Sequence, residues 1–176
     1  MFKKVMIAAA AIAMTLSGSA LASAQDQTAN AGIAPFAVEG PFTLHVGFAP
    51  YRNLEALRTE INQNGGHIRQ WSNDGTDEQK WLFFSDSTIR PVLNTSMCLD
   101  ANPNQPWNGG QVYVWGCHGG APQQWRESPG LPGTLRNAAT QRCLDANPNE
   151  NFNGGTIYQW ECYGGVAQQW TKVRVG

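Results

Sequence analysis

The stretch Cys98-Leu99-Asp100-Ala101-Asn102-Pro103-Asn104, continuing through Asn108-Gly109-Gly110 and Trp115-Gly116-Cys117 to Gln123-Gln124-Trp125, is written twice in this chain. It returns 45 residues later as Cys143-Leu144-Asp145-Ala146-Asn147-Pro148-Asn149, Asn153-Gly154-Gly155, Trp160-Glu161-Cys162 and Gln168-Gln169-Trp170. A fainter copy lies 44 residues upstream, where Asn64-Gly65-Gly66, Ile68, Trp71 and Gln79-Lys80-Trp81 fall in step. At that spacing Leu54 and Asn73 stand in the cysteine positions and Ala56 in the aspartate position. One copy of this size cannot bury its own apolar face, so a fixed period is a statement about fold. Three copies around a pseudo-threefold axis can bury it. The expected fold is all-β, a β-trefoil of three pseudo-repeats at about 41–84, 85–128 and 129–176, the first degenerate.

Asn and Gly accept the positive φ that tight turns need, so each Asn-Gly-Gly predicts a turn. A hairpin centred on it sets Cys98 opposite Cys117 and, two steps inward on the same face, Asp100 opposite Trp115. The third copy does the same with Cys143, Cys162, Asp145 and Trp160. The other face carries Leu99, Val112 and Val114, or Leu144 and Ile157, and reads as core; Gln159 breaks that pattern. Four cysteines allow three pairings. The first copy has lost both members of the within-copy pair together, which selects Cys98–Cys117 and Cys143–Cys162. Each bridge closes a loop of about 20 residues, worth roughly 3 kcal/mol in the chain-entropy model. Trp81, Trp125 and Trp170 recur once per copy beside glutamine and read as core.

Met1 to Ala24 has the form of a secretory signal: Lys3 and Lys4, an apolar run from Val5 to Leu16, and Ala22-Ser23-Ala24 before the cut. The run is shorter than the roughly 20 residues of a membrane span. A mature chain from Gln25 holds 176 − 24 = 152 residues, with 10 basic against 13 acidic side chains, a net charge of −3. That balance argues against nucleic-acid or anionic-membrane binding. Export to an oxidising, extracellular location suits disulfides. Residues 25–40 read as a flexible lead. Leu54-Glu55-Ala56-Leu57-Arg58-Thr59-Glu60-Ile61 has helix-like apolar spacing after Asn53, but the repeat register makes it strand and loop, and the register is preferred here.

Cys-Leu-Asp, Asn-Gly-Gly, Trp-x-Cys and Gln-x-Trp at this period resemble the ricin B-chain-type lectins and the related sugar-binding modules attached to bacterial xylanases. The resemblance runs over about 41–176, strongly from Cys98. It implies one shallow sugar site per copy at most. In such lectins the aspartates matching Asp100 and Asp145 accept hydrogen bonds from sugar hydroxyls, and the aromatics matching Trp115 and Trp160 stack on the ring. The position after the second cysteine is His118 or Tyr163, and the Gln-x-Trp glutamine is Gln123 or Gln168. Many relatives have asparagine just before that glutamine; here the positions hold Pro122, Ala167 and, in the first copy, Glu78. With Ala56 at the aspartate position, the first copy is expected to hold no site.

The chemistry of the residues points the same way. A pyranose has a weakly apolar C–H face and a rim of hydroxyls, which an indole beside a carboxylate matches. The alternatives are that the aspartates cap turns at Asn-Pro-Asn and that the tryptophans pack against the disulfides. Trp107 and Phe152, flanking the turns, either widen a sugar platform or pin the loop. His45 and His67 fall in the first copy and His118 in the second, with no nucleophile motif near any of them, metal-ligand spacings are absent, and Asp100 and Asp145 belong to different lobes. The expected protein is a non-enzymatic, secreted lectin without metal or cofactor, with carbohydrate as partner. A trefoil that binds protein, as a toxin's targeting subunit or an inhibitor, is the alternative.

Overall fold

Strand and loop alternate as the repeat period requires. The computed structural model describes residues 37–176; the expected signal, 1–24, and the lead up to residue 36 lie outside them. Each repeat contributes four strands. The first has β1 (Val38–Val46), β2 (Ala49–Ala56), β3 (Gly66–Ser72) and β4 (Trp81–Phe84). The second has β5 (Ile89–Pro91), β6 (Met97–Ala101), β7 (Gly110–Gly116) and β8 (Trp125–Ser128). The third has β9 (Leu131–Asn137), β10 (Cys143–Ala146), β11 (Gly155–Trp160) and β12 (Trp170–Arg174). Among the described residues the only helical segments are three short 3₁₀ turns. Residues 53–61 are strand and turn, as the register requires against the helix-like spacing.

The outer strands pair around the body of the fold: β1 with β4 and β12, β4 with β5, β8 with β9. The inner pairs β2–β3, β6–β7 and β10–β11 are hairpins whose second strands also pair with one another across the pseudo-threefold axis. The core lies beneath them. Trp81, Trp125 and Trp170 are buried there, and each donates its indole N–H to a leucine carbonyl of its own repeat, Leu54, Leu99 and Leu144, at 2.9–3.0 Å. A buried indole needs that acceptor, which ties each repeat's last turn to its hairpin.

Asn-Gly-Gly does more than turn the chain. Its asparagine Oδ1 accepts a backbone N–H from the next repeat: Asn64 from Gly116, Asn108 from Glu161 and Asn153 from Ser72, all at 2.8 Å. The first glycine, at φ +83°, +86° and +95° in the three copies, donates its N–H to Val114, Gln159 and Gln70. The second has no room for a side chain: a Cβ on Gly110 would fall 2.0 Å from the Gln105 carbonyl oxygen. The motif therefore fastens repeat to repeat.

The same close approach accounts for Gln159. It is fully buried and donates to the carbonyls of Asn102 and Gln105 in the second repeat's loop, at 3.1 and 2.9 Å. Gln70 does likewise toward Asn147 and Thr156. An apolar reading of this face fails where a side chain must satisfy a neighbouring loop.

Candidate functional site

The hairpin register differs from the sequence expectation by two residues. Cys98 stands opposite Trp115 and Asp100 opposite Tyr113; Cys143 stands opposite Trp160 and Asp145 opposite Tyr158. The connection spans residues 102–109, and Asn-Gly-Gly closes that loop instead of centring it. Cys117 then lies just past the end of β7, its N–H on the Ser96 carbonyl, and meets Cys98 diagonally with Cα atoms 5.1 Å apart. Both expected disulfides, Cys98–Cys117 and Cys143–Cys162, are formed. Alternation keeps the aspartate, the cysteine and both aromatics on one face.

The aromatic facing each carboxylate is thus a tyrosine that the sequence reading passed over. Tyr113 and Trp115 rings lie 5.5 Å apart, tilted by 43°; Tyr158 and Trp160 lie 5.3 Å apart, tilted by 39°. Trp115 is 37% exposed, and Trp160 is half-buried. Strict alternation from Trp115 would have found Tyr113, since residues i and i−2 share a face.

Asp100 and Asp145 are 3% and 2% exposed. They do not cap the Asn-Pro-Asn turns. Asn102 and Asn147 do that, accepting from the N–H of Asn104 and Asn149. Burial pushes the Asp145 carboxyl up to about 6, against the opposing hydrogen bonds of Gln168 and Tyr163. Burial also raises Asp100, opposed by Gln123 and His118. The Tyr158 phenol rises to about 12, from burial and the neighbouring Asp145 charge. His118 Nε2 stands 3.5 Å from Asp100, the limit of a hydrogen bond, so the carboxylate keeps acceptor capacity. Tyr163 is exposed at the corresponding place in the third repeat.

Gln123 and Gln168, expected at the sugar, are fully buried and engaged within the protein. Gln123 accepts from the N–H groups of His118 and Gly119 and donates to the Gly116 carbonyl. Gln168 accepts from Tyr163 and Gly164 and donates to the Glu161 carbonyl and, at 2.9 Å, to Asp145 Oδ2. They position the carboxylate and the loop that borders it. Ala167 is buried, its carbonyl on the Ala146 N–H. Pro122 gives its carbonyl to Asn137. Trp107 and Phe152 are each 54% exposed.

The first repeat departs from a constant 44-residue offset. Leu54 pairs with Gln70 as Leu99 pairs with Val114, so Asn53 matches Cys98 and Glu55, not Ala56, matches the aspartates. Its loop is one residue longer, 13 positions from Asn53 to Gly66 against 12 from Cys98 to Gly110, which a constant 44-residue offset hides. Glu55 is 3% exposed and carries Arg69, the counterpart of Tyr113, through Nε and Nη2 at 2.9 and 2.7 Å. The Arg69 guanidinium lies 3.8 Å from the Trp71 ring centroid, and Gln79 donates to Glu55 at 2.9 Å. Arg58 pairs with Glu78 beside them. The constellation is complete but satisfied by its own arginine.

Residues 52–170 match the family model of the ricin-type β-trefoil lectin domain. The chain belongs to that family. Among solved structures it is similar to the designed threefold-symmetric protein ThreeFoil, with 25% identity and a TM-score of 0.67 over 78% of this chain and all of that one. It is also similar to the agglutinin from Abrus precatorius, with 26% identity and a TM-score of 0.58 over 76% of this chain and 47% of that one. The trefoil thus spans about half of the agglutinin chain. An earthworm R-type lectin C-half, solved with GalNAc, shares the fold at 18% identity and a TM-score of 0.61, over 76% of this chain and 98% of its own. No functionally curated protein matches the sequence. Among the described residues no cluster of His, Cys, Asp or Glu is arranged to hold a metal ion, and no helix is long and apolar enough to cross a membrane.

Proposed function

We propose that this member of the lectin family is a secreted, non-enzymatic carbohydrate binder with two shallow sites, Asp100/Tyr113/Trp115/His118 and Asp145/Tyr158/Trp160/Tyr163. The observation that carries this reading is the buried carboxylate beside a tilted, partly open aromatic pair, present twice and lacking an arginine partner both times. A carboxylate with free acceptor capacity takes hydroxyl donors, and the aromatic faces take a sugar's C–H surface. The earthworm lectin solved with GalNAc is consistent with it. One such site is weak, on the order of millimolar or about 4 kcal/mol. Two on one rigid scaffold gain avidity on a polysaccharide or cell-surface glycan.

A glycan array on the mature chain identifies the sugar. Because the aspartates are buried, the isosteric Asp100→Asn and Asp145→Asn are the right variants. Each single change is expected to halve the calorimetric stoichiometry, and the double change to abolish binding with the fold retained. A folded parent that binds no glycan would leave the protein-binding trefoil as the better reading.

A further inference from the structure

On the face where the three hairpins meet, six outward side chains form a closed ring around the pseudo-threefold axis. His67 pairs with Tyr113 across strands, Tyr158 with Gln111, and Thr156 with Arg69. The remaining three links are residues two apart on β3, β7 and β11. The ring encloses an open bowl of about 680 Å³, within the range of small-molecule sites. The bowl is continuous with the second repeat's site, because Tyr113 and Trp115 line its wall.

We infer that this bowl is an additional subsite, shared by the three repeats, for the further units of a linear neutral oligosaccharide whose end residue sits on Asp100 and Trp115. The inference rests on the sugar-binding reading and deepens it. Neutrality follows from the lining: Arg69 is bound to Glu55, His67 is paired with Glu60, and no acidic side chain lines the bowl. Length follows from scale. Neighbours in the ring are about 5–7 Å apart, so the bowl extends well beyond the single ring that one indole covers. Tyr113 and Tyr158, one from each proposed site, offer further aromatic surface, and Gln111 and Thr156 offer polar groups between them. Trp160 does not line the bowl, so the extended mode belongs to the second repeat.

The test compares galactose, N-acetylgalactosamine, xylose, glucose and mannose with their linear β-linked oligomers of two to six units, by calorimetry on the mature protein. The Asp145→Asn background isolates the second repeat. Affinity is expected to rise about tenfold from one to three units and then level off. Thr156→Trp, which places an indole in the path of the further units, should remove that rise and leave the monosaccharide affinity unchanged. Should that variant misfold, amide shifts of His67, Gln111 and Thr156 in the parent decide: they should move with the trimer and stay still with the monomer. A monosaccharide that binds with no gain on lengthening overturns the subsite alone. Failure of every monomer and oligomer overturns the sugar reading and the subsite with it.

Discussion

Replacing Asp145 by Asn separates the stability of the third repeat from its binding, and pH reads out both. Burial holds this carboxyl at about 6, against 3.8 for an ordinary aspartate. Between those values the folded chain binds the proton more tightly than the unfolded chain. Its contribution is therefore favourable in acid and is lost as pH rises through 6. The difference between 3.8 and about 6 corresponds to roughly 3 kcal/mol. Asn keeps the shape and an acceptor for Gln168 without the charge. Asp145→Asn should therefore be more stable than the parent at pH 7, by up to about 3 kcal/mol, and equal to it near pH 4. Subtracting one urea-denaturation series from the other removes every other titrating group. On the proposed reading, glycan binding runs the opposite way, with the ionised carboxylate as the acceptor. At pH 5 only about a tenth of the third-repeat sites should be competent, a tenfold loss against neutral pH. A parent–variant stability difference that does not change from pH 7 to 4, or an Asp145 carboxyl carbon titrating near 4, would refute the reasoning.

Gly110→Ala should lower stability by at least about 2 kcal/mol in thermal unfolding, because its Cβ would meet the Gln105 carbonyl at 2.0 Å and Gln159 Nε2 at 2.8 Å. Arg69→Ala should cost about 3–5 kcal/mol by removing the cation from the buried Glu55, and Arg69→Ala with Glu55→Gln should recover most of it in denaturant titrations. Trp125→Ala, in the core, should cost about 3–5 kcal/mol of stability. Trp115→Ala should instead weaken glycan binding while leaving the melting temperature within a few degrees of the parent.

The period of the sequence carried the fold, because Trp81, Trp125 and Trp170 and the glutamines before them mark equivalent places in a threefold body. It carried the disulfides for the same reason: Asn73 and Asn53 stand together where a bridge is missing, although constant spacing named Leu54 instead of Asn53. Register was less legible. A turn motif shows that the chain reverses, not where the reversal is centred, and an eight-residue loop moved every cross-strand partner by two positions while keeping the face. The tyrosines were missed through that displacement. Glu55 was hidden by one extra residue in a loop, which no pattern inside the first repeat reports. The role of Asn64, Asn108 and Asn153 as fasteners between repeats was not legible at all, since their partners are backbone groups 52, 53 and 81 residues away.

The three acidic side chains, Glu55, Asp100 and Asp145, occupy one position in three copies and face one physical problem. A carboxylate this deeply buried must be compensated or it remains a cost. In the first repeat the protein compensates it, with Arg69 and Gln79 on Glu55 and the guanidinium lying over Trp71. In the others a tyrosine replaces the arginine, and the compensation is incomplete: His118 stands at 3.5 Å from Asp100, while the partners of Asp145, Gln168 and Tyr163, are not cations. The raised carboxyls are the measure of that deficit. A ligand bearing hydroxyl donors removes it, which the first repeat, already satisfied, gives no reason to do. The disulfides fall in the same two repeats. Where the polar network of Asn53, Glu55, Arg69 and Gln79 holds the hairpin, no covalent bridge is present. Where the carboxylate has no arginine partner, Cys98–Cys117 and Cys143–Cys162 hold the hairpin instead.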